Sequence, residues 1–425
     1  MSILGLKEAE VAPLVRAVAG EGLQGDALRE RFARAAWTGI VEPGDRVAGV
    51  LIAALGAVAA LDAVVARASA EEILQRAAES DAEGELAGDL VAEEVEKAIE
   101  RWTPRLQSRT ALLSLKQAAR YAVRLLIPGD PAWPAGFFDL GPHAPLALWL
   151  RGNESTLSSV GASIALVGAR AATGYGEHVA MEASAGLVDR GYTIISGAAY
   201  GIDGMAHRAA LASSGQTIAV LAGGVDRFYP SGHEALLTRI VEEGAVISEL
   251  PCGSAPTKWR FLQRNRLIAA ASRATVVLEA GWRSGSLNTA GHAAALGRPL
   301  GAVPGPVTSA ASAGCHRLIR DFDAVCVTDA DEMAELAPLD TAVEPPDAST
   351  GSSELPGLSA EQLRIMDALS TRSARLVDDI AARAGLSIAT VQSALGAMQL
   401  EGTATERASG WVKAKPSSAS GATAS

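Results

Sequence analysis

Seven short apolar runs recur between residue 162 and about residue 336, and amphipathic or alanine-rich helical runs separate them. The short runs are rich in β-branched residues, as buried strands are. Alternation of this kind predicts an α/β fold with a doubly wound, mostly parallel sheet and helices on both of its faces. The predicted strands are 163–167, 193–195, 217–221, 245–247, 274–278, 299–303 and 324–327.

The composition changes on either side of this region. Residues 1–125 are rich in alanine, glutamate and leucine with helical spacing, which predicts a small all-α domain, SAM-like or helix-hairpin-helix-like. Residues 126–338 contain a proline-rich, extended lead-in followed by the sheet, and 339–357 are a linker rich in proline, glycine and serine. Helical runs and a glycine-tipped hairpin in 358–414 predict a winged helix, and 415–425 predict a disordered tail.

Two interpretations of the helical domain are open. The apolar run 47–65 is interrupted by Gly49, Gly56 and Asp62, so it predicts a buried helical hairpin rather than a membrane span. Such a hairpin could bind phosphate, but a packing or interaction module is favoured because no basic cluster flanks the glycines. The more basic stretch 101–124 is expected to lie against the next domain.

Redox state and localisation are inferred from what the chain lacks. Its three cysteines are scattered and have no Cys-x-x-Cys spacing, which argues against a disulfide framework or a zinc site. Charged residues interrupt any signal peptide at Lys7 and Glu8. We expect a cytoplasmic protein with no membrane segment, metal or cofactor.

The charge distribution points to a local anion site. The formal net charge is −11, yet between Lys258 and Arg320 there are nine basic residues and the only acid is Glu279. Where charges lie matters more for a polyanionic partner than their sum. Phosphate binding is therefore expected to be local, and to weaken steeply as salt is added.

Two predicted strand ends carry residues suited to phosphate. After the first strand, Gly168 lets a ligand approach the backbone and Arg170 supplies a forked donor. After the fifth, Ser284, Gly285 and Ser286 begin a helix, where backbone N–H groups and hydroxyls stabilise an anion.

The predicted helix before the fifth strand supplies a further set of donors. Arg264 and Arg266 flank Asn265, and at least one of the two arginines must face away from the apolar side of the helix. Lys258 begins the same basic segment. The density of bases beside a Ser/Gly helix start favours phosphate contact over ordinary solvated charges.

Other side chains near these elements allow more than one interpretation. Trp259 and Phe261 predict either a stacking platform for an unpaired base or part of the core. Glu279 is a candidate general base, or it orients arginines. Asp203 and His207, one helical turn apart, could act as an acid/base pair. The favoured interpretation is structural, with Asp203 as a helix cap and His207 bonded to a neighbouring backbone group.

An ordered series of motifs resembles the DNA processing protein A (DprA/Smf) family of bacterial proteins, which has a Rossmann-like core. Each motif is weak by itself, but their order along the core is specific. The motifs are Ala165-Leu166-Val167-Gly168-Ala169-Arg170, Ser196-Gly197 with Gly201-Ile202-Asp203, Tyr229-Pro230, Ile247-Ser248-Glu249, Arg264-Asn265-Arg266, Ser284-Gly285-Ser286-Leu287 and Val303-Pro304-Gly305.

The resemblance implies a dimeric protein that binds single-stranded DNA and loads the RecA recombinase onto it during natural transformation. Many members have a basic residue where Tyr200 stands, and a tyrosine there could stack on a base. Carried over by motif, the implied DNA site includes Arg170, Ser196, Gly197, Arg264, Asn265, Arg266, Ser284, Gly285 and Ser286.

Three classes of function follow. The leading hypothesis is a binder without catalysis, since no nucleophile with an adjacent base, metal cluster or nucleotide-hydrolysing loop is found. The alternative is a Rossmann-like enzyme that acts on a nucleotide phosphate or an N-glycosidic bond with Glu279 as acid/base. A third is an adaptor that works through the winged helix. Its supposed recognition helix, 387–400, has no Lys or Arg, which favours protein contact over DNA reading.

Overall fold

The computed structural model describes residues 2–80, 90–339 and, between 362 and 414, all but 363–364, 367, 372, 385–387, 401 and 408. Its contacts divide the chain into two units, Met1–Leu339 and Asp340–Ser425. The predicted tail and nearly all of the predicted linker lie outside the described residues.

The first unit begins with a small hairpin followed by a layer of helices. The hairpin pairs β1 (Ser2–Ile3) with β2 (Leu6–Lys7). The helices are α1 (Glu8–Ala19), α2 (Gly25–Ile40), α3 (Arg46–Leu55), α4 (Ala57–Val65), α5 (Ala70–Ser80), α6 (Ala92–Trp102) and α7 (Ser108–Arg120).

Tryptophans build the core of this helical layer. Trp37 and Trp102 are buried and pack edge to face with ring centres 5.2 Å apart. The Trp37 indole N–H donates to the Ala57 carbonyl at 3.0 Å, which fixes α2 against the start of α4. As the sequence predicts, 47–65 forms two helices, α3 and α4, bent by 113° at Gly56. Within the described ranges no single helix is long and apolar enough to cross a membrane, although this bent pair passes that test by length and composition.

A nine-stranded sheet follows the helical layer. Its strands are β3 (Arg124–Leu126), β4 (Leu148–Gly152), β5 (Ser163–Gly168), β6 (Thr193–Ser196), β7 (Thr217–Val220), β8 (Ala245–Ser248), β9 (Ala274–Glu279), β10 (Leu300–Ala302) and β11 (Val325–Cys326). They lie in the order β11-β10-β9-β5-β6-β7-β8-β4-β3. From β11 to β8 all neighbours are parallel, while β4 and β3 add an antiparallel edge. The predicted doubly wound, mostly parallel sheet is confirmed.

The strand order reverses beside β5. The chain builds β6, β7 and β8 on one side of β5, then crosses over to place β9, β10 and β11 on the other. The loops that leave β5 and β9 therefore run in different directions and leave a crevice at the carboxyl edge of the sheet. Ligands of such sheets bind at this switch point.

Helices cover both faces of the sheet because side chains alternate along each strand. Ile164 and Leu166 belong to the core with α8 and α9, while Ala165 and Val167 belong to the opposite core with α11 and α12. The helices of this region are α8 (Gly174–Asp189), α9 (Ile202–Ala212), α10 (Glu234–Glu243), α11 (Lys258–Ala271), α12 (Ser286–Ala295), α13 (Ala313–Asp321) and α14 (Ala330–Glu335).

The proline-rich passage before the sheet is less extended than the sequence predicts. It contains the short strand β3 and 3₁₀ turns over Ala135–His143. Proline fixes φ near the value that a 3₁₀ turn needs, so the prolines exclude a long α-helix without excluding these turns.

Polar contacts join the helical layer to the sheet. Ser114 on α7 donates to the Cys252 carbonyl at 3.1 Å, so the stretch 101–124 does lie against the next domain. Glu42 accepts from Arg260 at 2.8 and 3.0 Å and pairs with Arg105 at 2.8 Å. Partial burial works to raise the pKa of Glu42, but the hydrogen bonds and charges of these two arginines bring it below its ordinary value. The carboxylate thus stays charged and holds the start of α11.

The second unit is small and is described by itself. It contains helices Val377–Ala384 and Ile388–Leu400 and an antiparallel hairpin of β12 (Ala404–Arg407) and β13 (Gly410–Lys413). Its buried residues include Ile365, Ile380, Val391, Leu395, Met398 and Trp411. Helices followed by a two-stranded wing are the predicted winged-helix arrangement.

A buried ion pair anchors the middle of α11. Both terminal nitrogens of Arg266 donate to the Glu249 carboxylate, at 2.6 and 2.7 Å, and its Nε donates to the His143 carbonyl at 3.1 Å. The two side chains are 4% and 7% exposed. Removal of one partner of such a pair leaves a charge without compensation in the interior.

We expect Glu249→Gln to lower the free energy of unfolding by about 3–5 kcal/mol, because Arg266 would then be buried without its counter-ion. Chemical denaturation followed by circular dichroism measures the change. Glu243→Gln is the matched control: Glu243 pairs with Arg239 on the surface of α10, and its loss should cost at most about 0.5 kcal/mol. Equal losses in the two variants would show that the buried pair is not an anchor.

Candidate nucleic-acid interface

A cavity of about 890 Å³ opens at the carboxyl edge of the sheet, at the switch point beside β5. Its walls come from the loops after β5, β6, β7, β8 and β9, from the first three turns of α11 and from the start of α12. The lining residues are Val167–Ala171, Ala199, Asp203, Tyr229, Pro256–Lys258, Phe261, Leu262, Arg264, Asn265, Ile268, Gly281–Ser286 and Thr289.

The lining is strongly cationic for an acidic protein. Arg170, Lys258 and Arg283 are exposed at the cavity, and Arg264 lies buried in its wall. Asp203 is the only acidic residue among those that line it. The positive potential expected from the basic segment is therefore concentrated in one concave place, where field lines are focused.

Aromatic rings stand beside these cations. The Phe261 ring lies 5.6 Å from the Tyr229 ring, and the Arg170 guanidinium lies 4.9 Å from the Phe261 ring centre. Trp282 also lines the cavity and is 55% exposed. Of the two predicted stacking residues, Phe261 lines the cavity, whereas Trp259 is exposed but lies outside the lining.

Arg264 is a buried cation rather than the exposed phosphate donor that the sequence suggests. It is 4% exposed, and its Nη1 donates to the carbonyls of Gly197, at 2.7 Å, and Val220. Its Nη2 makes no hydrogen bond to any described residue. Burial lowers the pKa of Arg264 to about 10, which still leaves it protonated at neutral pH. The side chain thus joins the ends of β6 and β7 and adds a fixed positive charge to the cavity wall.

The loop after β6 is shaped around this arginine. A Cβ at Gly197 would collide with the Arg264 guanidinium, so any other residue there would push this guanidinium from its present position. Ser196 is fully buried and donates to the Leu166 carbonyl at 2.6 Å. Neither Ser196 nor Gly197 lines the cavity. They hold the loop in place.

Asp203 and His207 have structural partners. Asp203 lies in the first turn of α9 and accepts from the backbone N–H groups of Gly197 (3.2 Å) and Ala199 (3.4 Å), while burial raises its pKa. His207 hydrogen-bonds the Thr217 hydroxyl at 2.7 Å, rather than the backbone group that the sequence suggests. Burial lowers the His207 pKa to about 3, so the ring is neutral. The two residues brace the loop and α9.

Asn265 ties the basic helix to the Ser/Gly loop. Its Nδ2 lies 3.2 Å from the Asn288 oxygen and 3.4 Å from the Gly285 carbonyl. In that loop the hydroxyls of Ser284 and Ser286 are 2.8 Å apart, and Ser286 begins α12. The predicted residues after β9 and on α11 thus meet in one place.

The expectation that at least one of Arg264 and Arg266 faces outward is wrong, because both are buried. Arg266 pairs with Glu249 in the interior and does not line the cavity. Glu249, which pairs with Arg266, directly follows β8 and so belongs to a different part of the fold from α11. A helical pattern cannot reveal such a partner.

Glu279 neither orients an arginine nor lines the cavity. Its carboxylate accepts from the backbone N–H (2.9 Å) and hydroxyl (2.6 Å) of Thr173, and it is 2% exposed. Thr173 in turn caps α8 through the N–H of Gly176. The acid therefore connects the end of β9 to the start of α8.

Tyr229, Trp282 and Arg283 are among the lining residues that the sequence did not single out as site residues, and all three reach the cavity from loops. The Tyr229-Pro230 motif, and the position of Trp282 and Arg283 shortly after the end of β9, are the sequence signals that could have indicated them. Tyr200 is 48% exposed, but its ring packs on His233 at 4.8 Å and lies outside the cavity lining.

Among the described residues, no group of three or more His, Cys, Asp or Glu side chains could hold a metal ion, and the three cysteines are free.

Comparisons with known proteins identify the family of this chain. A family model described as DNA recombination-mediator protein A matches residues 124–338, and one described as DprA winged helix domain matches residues 345–410. The putative DNA processing protein DprA of Mycobacterium tuberculosis is 46% identical over 307 residues, which cover 70% of this chain and 78% of that protein.

Two further comparisons involve Streptococcus pneumoniae. Its DNA processing protein DprA is 39% identical over 192 residues, 45% of this chain and 67% of that protein. An X-ray structure of DNA processing protein A (DprA) from the same organism superposes with a TM-score of 0.55 at 28% identity, and covers 72% of this chain and 97% of that one. The chain belongs to the DNA processing protein A family, also called DprA or Smf.

Proposed function

We propose that the cavity binds single-stranded DNA and that the chain processes such DNA without catalysing a reaction on it. The observation that carries the proposal is the combination of exposed Arg170, Lys258 and Arg283 with the rings of Phe261 and Tyr229 in one cavity at the switch point. Guanidinium and ammonium groups bind phosphates of any sequence, and aromatic faces stack on unpaired bases.

A single strand fits this site better than a duplex. The cavity is concave, and its rings lie within the lining, where only an unstacked base can reach them. A duplex keeps its bases paired and offers only its phosphates to such a surface. The proposal therefore includes a preference for single strands.

The predicted site residues take two roles in this proposal. Arg170, Lys258 and the loop Ser284–Ser286 contact the strand. Gly168 lines the cavity, but a Cβ there would collide with Ile202 and the Glu279 carbonyl, so the glycine serves the packing at the end of β5 rather than the approach of a ligand. Arg264 and Asn265 line the wall, where the Arg264 charge and its unused Nη2 favour an oxygen acceptor. Ser196, Gly197 and Arg266 act from behind the lining by holding β6, β7 and α11 in place.

The cellular part of the proposal is that the chain protects incoming DNA and loads RecA onto it during natural transformation, as a cytoplasmic homodimer. It is supported by membership of a family described as recombination mediators and by relatives named DNA processing proteins. The winged helix is proposed to contact a protein. The helix Ile388–Leu400, in the position of a recognition helix, carries no Lys or Arg to meet phosphate.

We expect Arg170→Ala and Lys258→Ala each to weaken binding of a single-stranded oligonucleotide by about five- to tenfold. Each should also reduce the slope of log affinity against log salt by about 0.7, because one phosphate contact is lost. Fluorescence anisotropy across salt concentrations, with single and double strands, measures both. Arg239→Ala on α10 removes the same charge outside the cavity and is the control. A slope that stays constant in both cavity variants would contradict backbone recognition.

For the enzyme alternative, we expect no product from nucleoside monophosphates or from the oligonucleotide with either the wild type or Glu279→Gln. The substitution should weaken strand binding about two- to fivefold. An amide has one oxygen where the carboxylate has two, so either the N–H or the hydroxyl of Thr173 loses its acceptor. Thr173→Ser keeps the hydroxyl and is the control. Release of base or phosphate by the wild type, abolished in Glu279→Gln, would overturn the binder and establish an enzyme.

A further inference from the structure

A cluster of exposed rings continues outward from the cavity. Trp282, part of the lining, is 55% exposed, and Phe322, directly after α13, is 41% exposed. The Arg317 guanidinium lies 5.2 Å from the Trp282 ring centre and 5.5 Å from the Phe322 ring centre. Two half-exposed rings that share one cation are suited to an unpaired base and the phosphate beside it.

The position of this cluster is set by tight packing rather than by a mobile surface loop. The Gly314 N–H, in the first turn of α13, donates to the Ala280 carbonyl at 2.7 Å. A Cβ at Gly314 would lie 2.6 Å from the Gly281 carbonyl oxygen, so only glycine allows α13 to approach this closely. Arg317 lies one turn further along α13. The helix is thus fixed against the loop that carries Trp282.

We propose that Trp282, Arg317 and Phe322 form a binding platform for the stretch of single-stranded DNA that leaves the cavity. This inference rests on the proposed function. Trp282 belongs to both surfaces, so a strand whose first nucleotides occupy the cavity passes over Trp282 and reaches Arg317 without a gap. The platform lengthens the bound segment beyond what the cavity holds.

An acidic side chain beside the platform predicts that one substitution strengthens strand binding instead of weakening it. Asp321 accepts from Arg320 at 2.7 Å and lies 3.8 Å from Arg317, and all three side chains are at least partly exposed. A phosphate over the platform competes with this carboxylate for both arginines. Asp321 therefore opposes strand binding, and its neutralisation should strengthen binding to long strands.

The test compares a thymidine trinucleotide, which the cavity can hold alone, with a thymidine dodecanucleotide, which also reaches the platform. We expect Arg317→Gln and Phe322→Ala to weaken the dodecanucleotide by about tenfold and to leave the trinucleotide unchanged, because one stacked or paired nucleotide is lost only from the longer strand. Asp321→Asn should strengthen the dodecanucleotide about two- to threefold at low salt. Binding is measured by fluorescence anisotropy, and melting curves verify the fold of each variant.

The matched control is Arg190→Gln, which removes an exposed arginine that also pairs with an aspartate, Asp331, outside the cavity lining. An equal loss in Arg190→Gln and Arg317→Gln would reduce the effect to net charge and overturn the platform. Unchanged dodecanucleotide binding in the Arg317 and Phe322 variants would also overturn the platform. Light scattering would then show whether the substitutions change the oligomeric state, which would indicate that the cluster contacts protein instead. If the wild type binds neither probe, the proposed function itself fails.

Discussion

The guanidinium of Arg264 is the contact on which the shape of the cavity depends. It bonds the carbonyl groups of Gly197 and Val220 at the ends of β6 and β7, and its charge partly offsets that of Asp203, which in turn holds the β6 loop. A buried arginine is tolerated because carbonyl oxygens replace the water that it loses. Without this side chain, two strand ends and one loop would have no common partner, and the wall of the cavity would not be defined.

The basic residues of this segment thus have two roles: some form ion pairs that stabilise the fold, and others are exposed at the cavity. Arg266 is neutralised by Glu249 in the core, and Arg260 is held by Glu42 from the helical layer. These pairs fix α11 from two sides, so that its first two turns present Lys258 and Phe261 to the cavity. Fixed donors lose little freedom when a ligand arrives, which favours affinity. An acidic chain can therefore hold a polyanion at one place while its remaining surface repels it.

The same division places the acids near the cavity in the scaffold. The carboxylate of Asp203 accepts from backbone N–H groups of the β6 loop, and that of Glu279 accepts from the N–H and hydroxyl of Thr173, so both acids hold the backbone in place. A general base needs a lone pair directed at substrate, and Glu279 does not line the cavity. In the proposed platform, by contrast, Asp321 is exposed and pairs weakly, so it acts as a competitor of phosphate rather than as part of the scaffold.

The sequence by itself determined the alternating elements, the mostly parallel sheet, the winged helix and the strand ends at which a ligand would lie, because strand length, burial pattern and turn residues are local properties. It also identified the basic segment and the family. Tertiary structure alone decided which arginines remain free. Arg266 and Arg170 look alike in the sequence, yet Glu249, seventeen residues before Arg266, captures one, while the other stays exposed over Phe261. Partners brought together by strand crossovers are separated along the chain, so no local sequence pattern identifies them. Which charges are buried in the scaffold and which remain on the surface is therefore decided only by the folded structure.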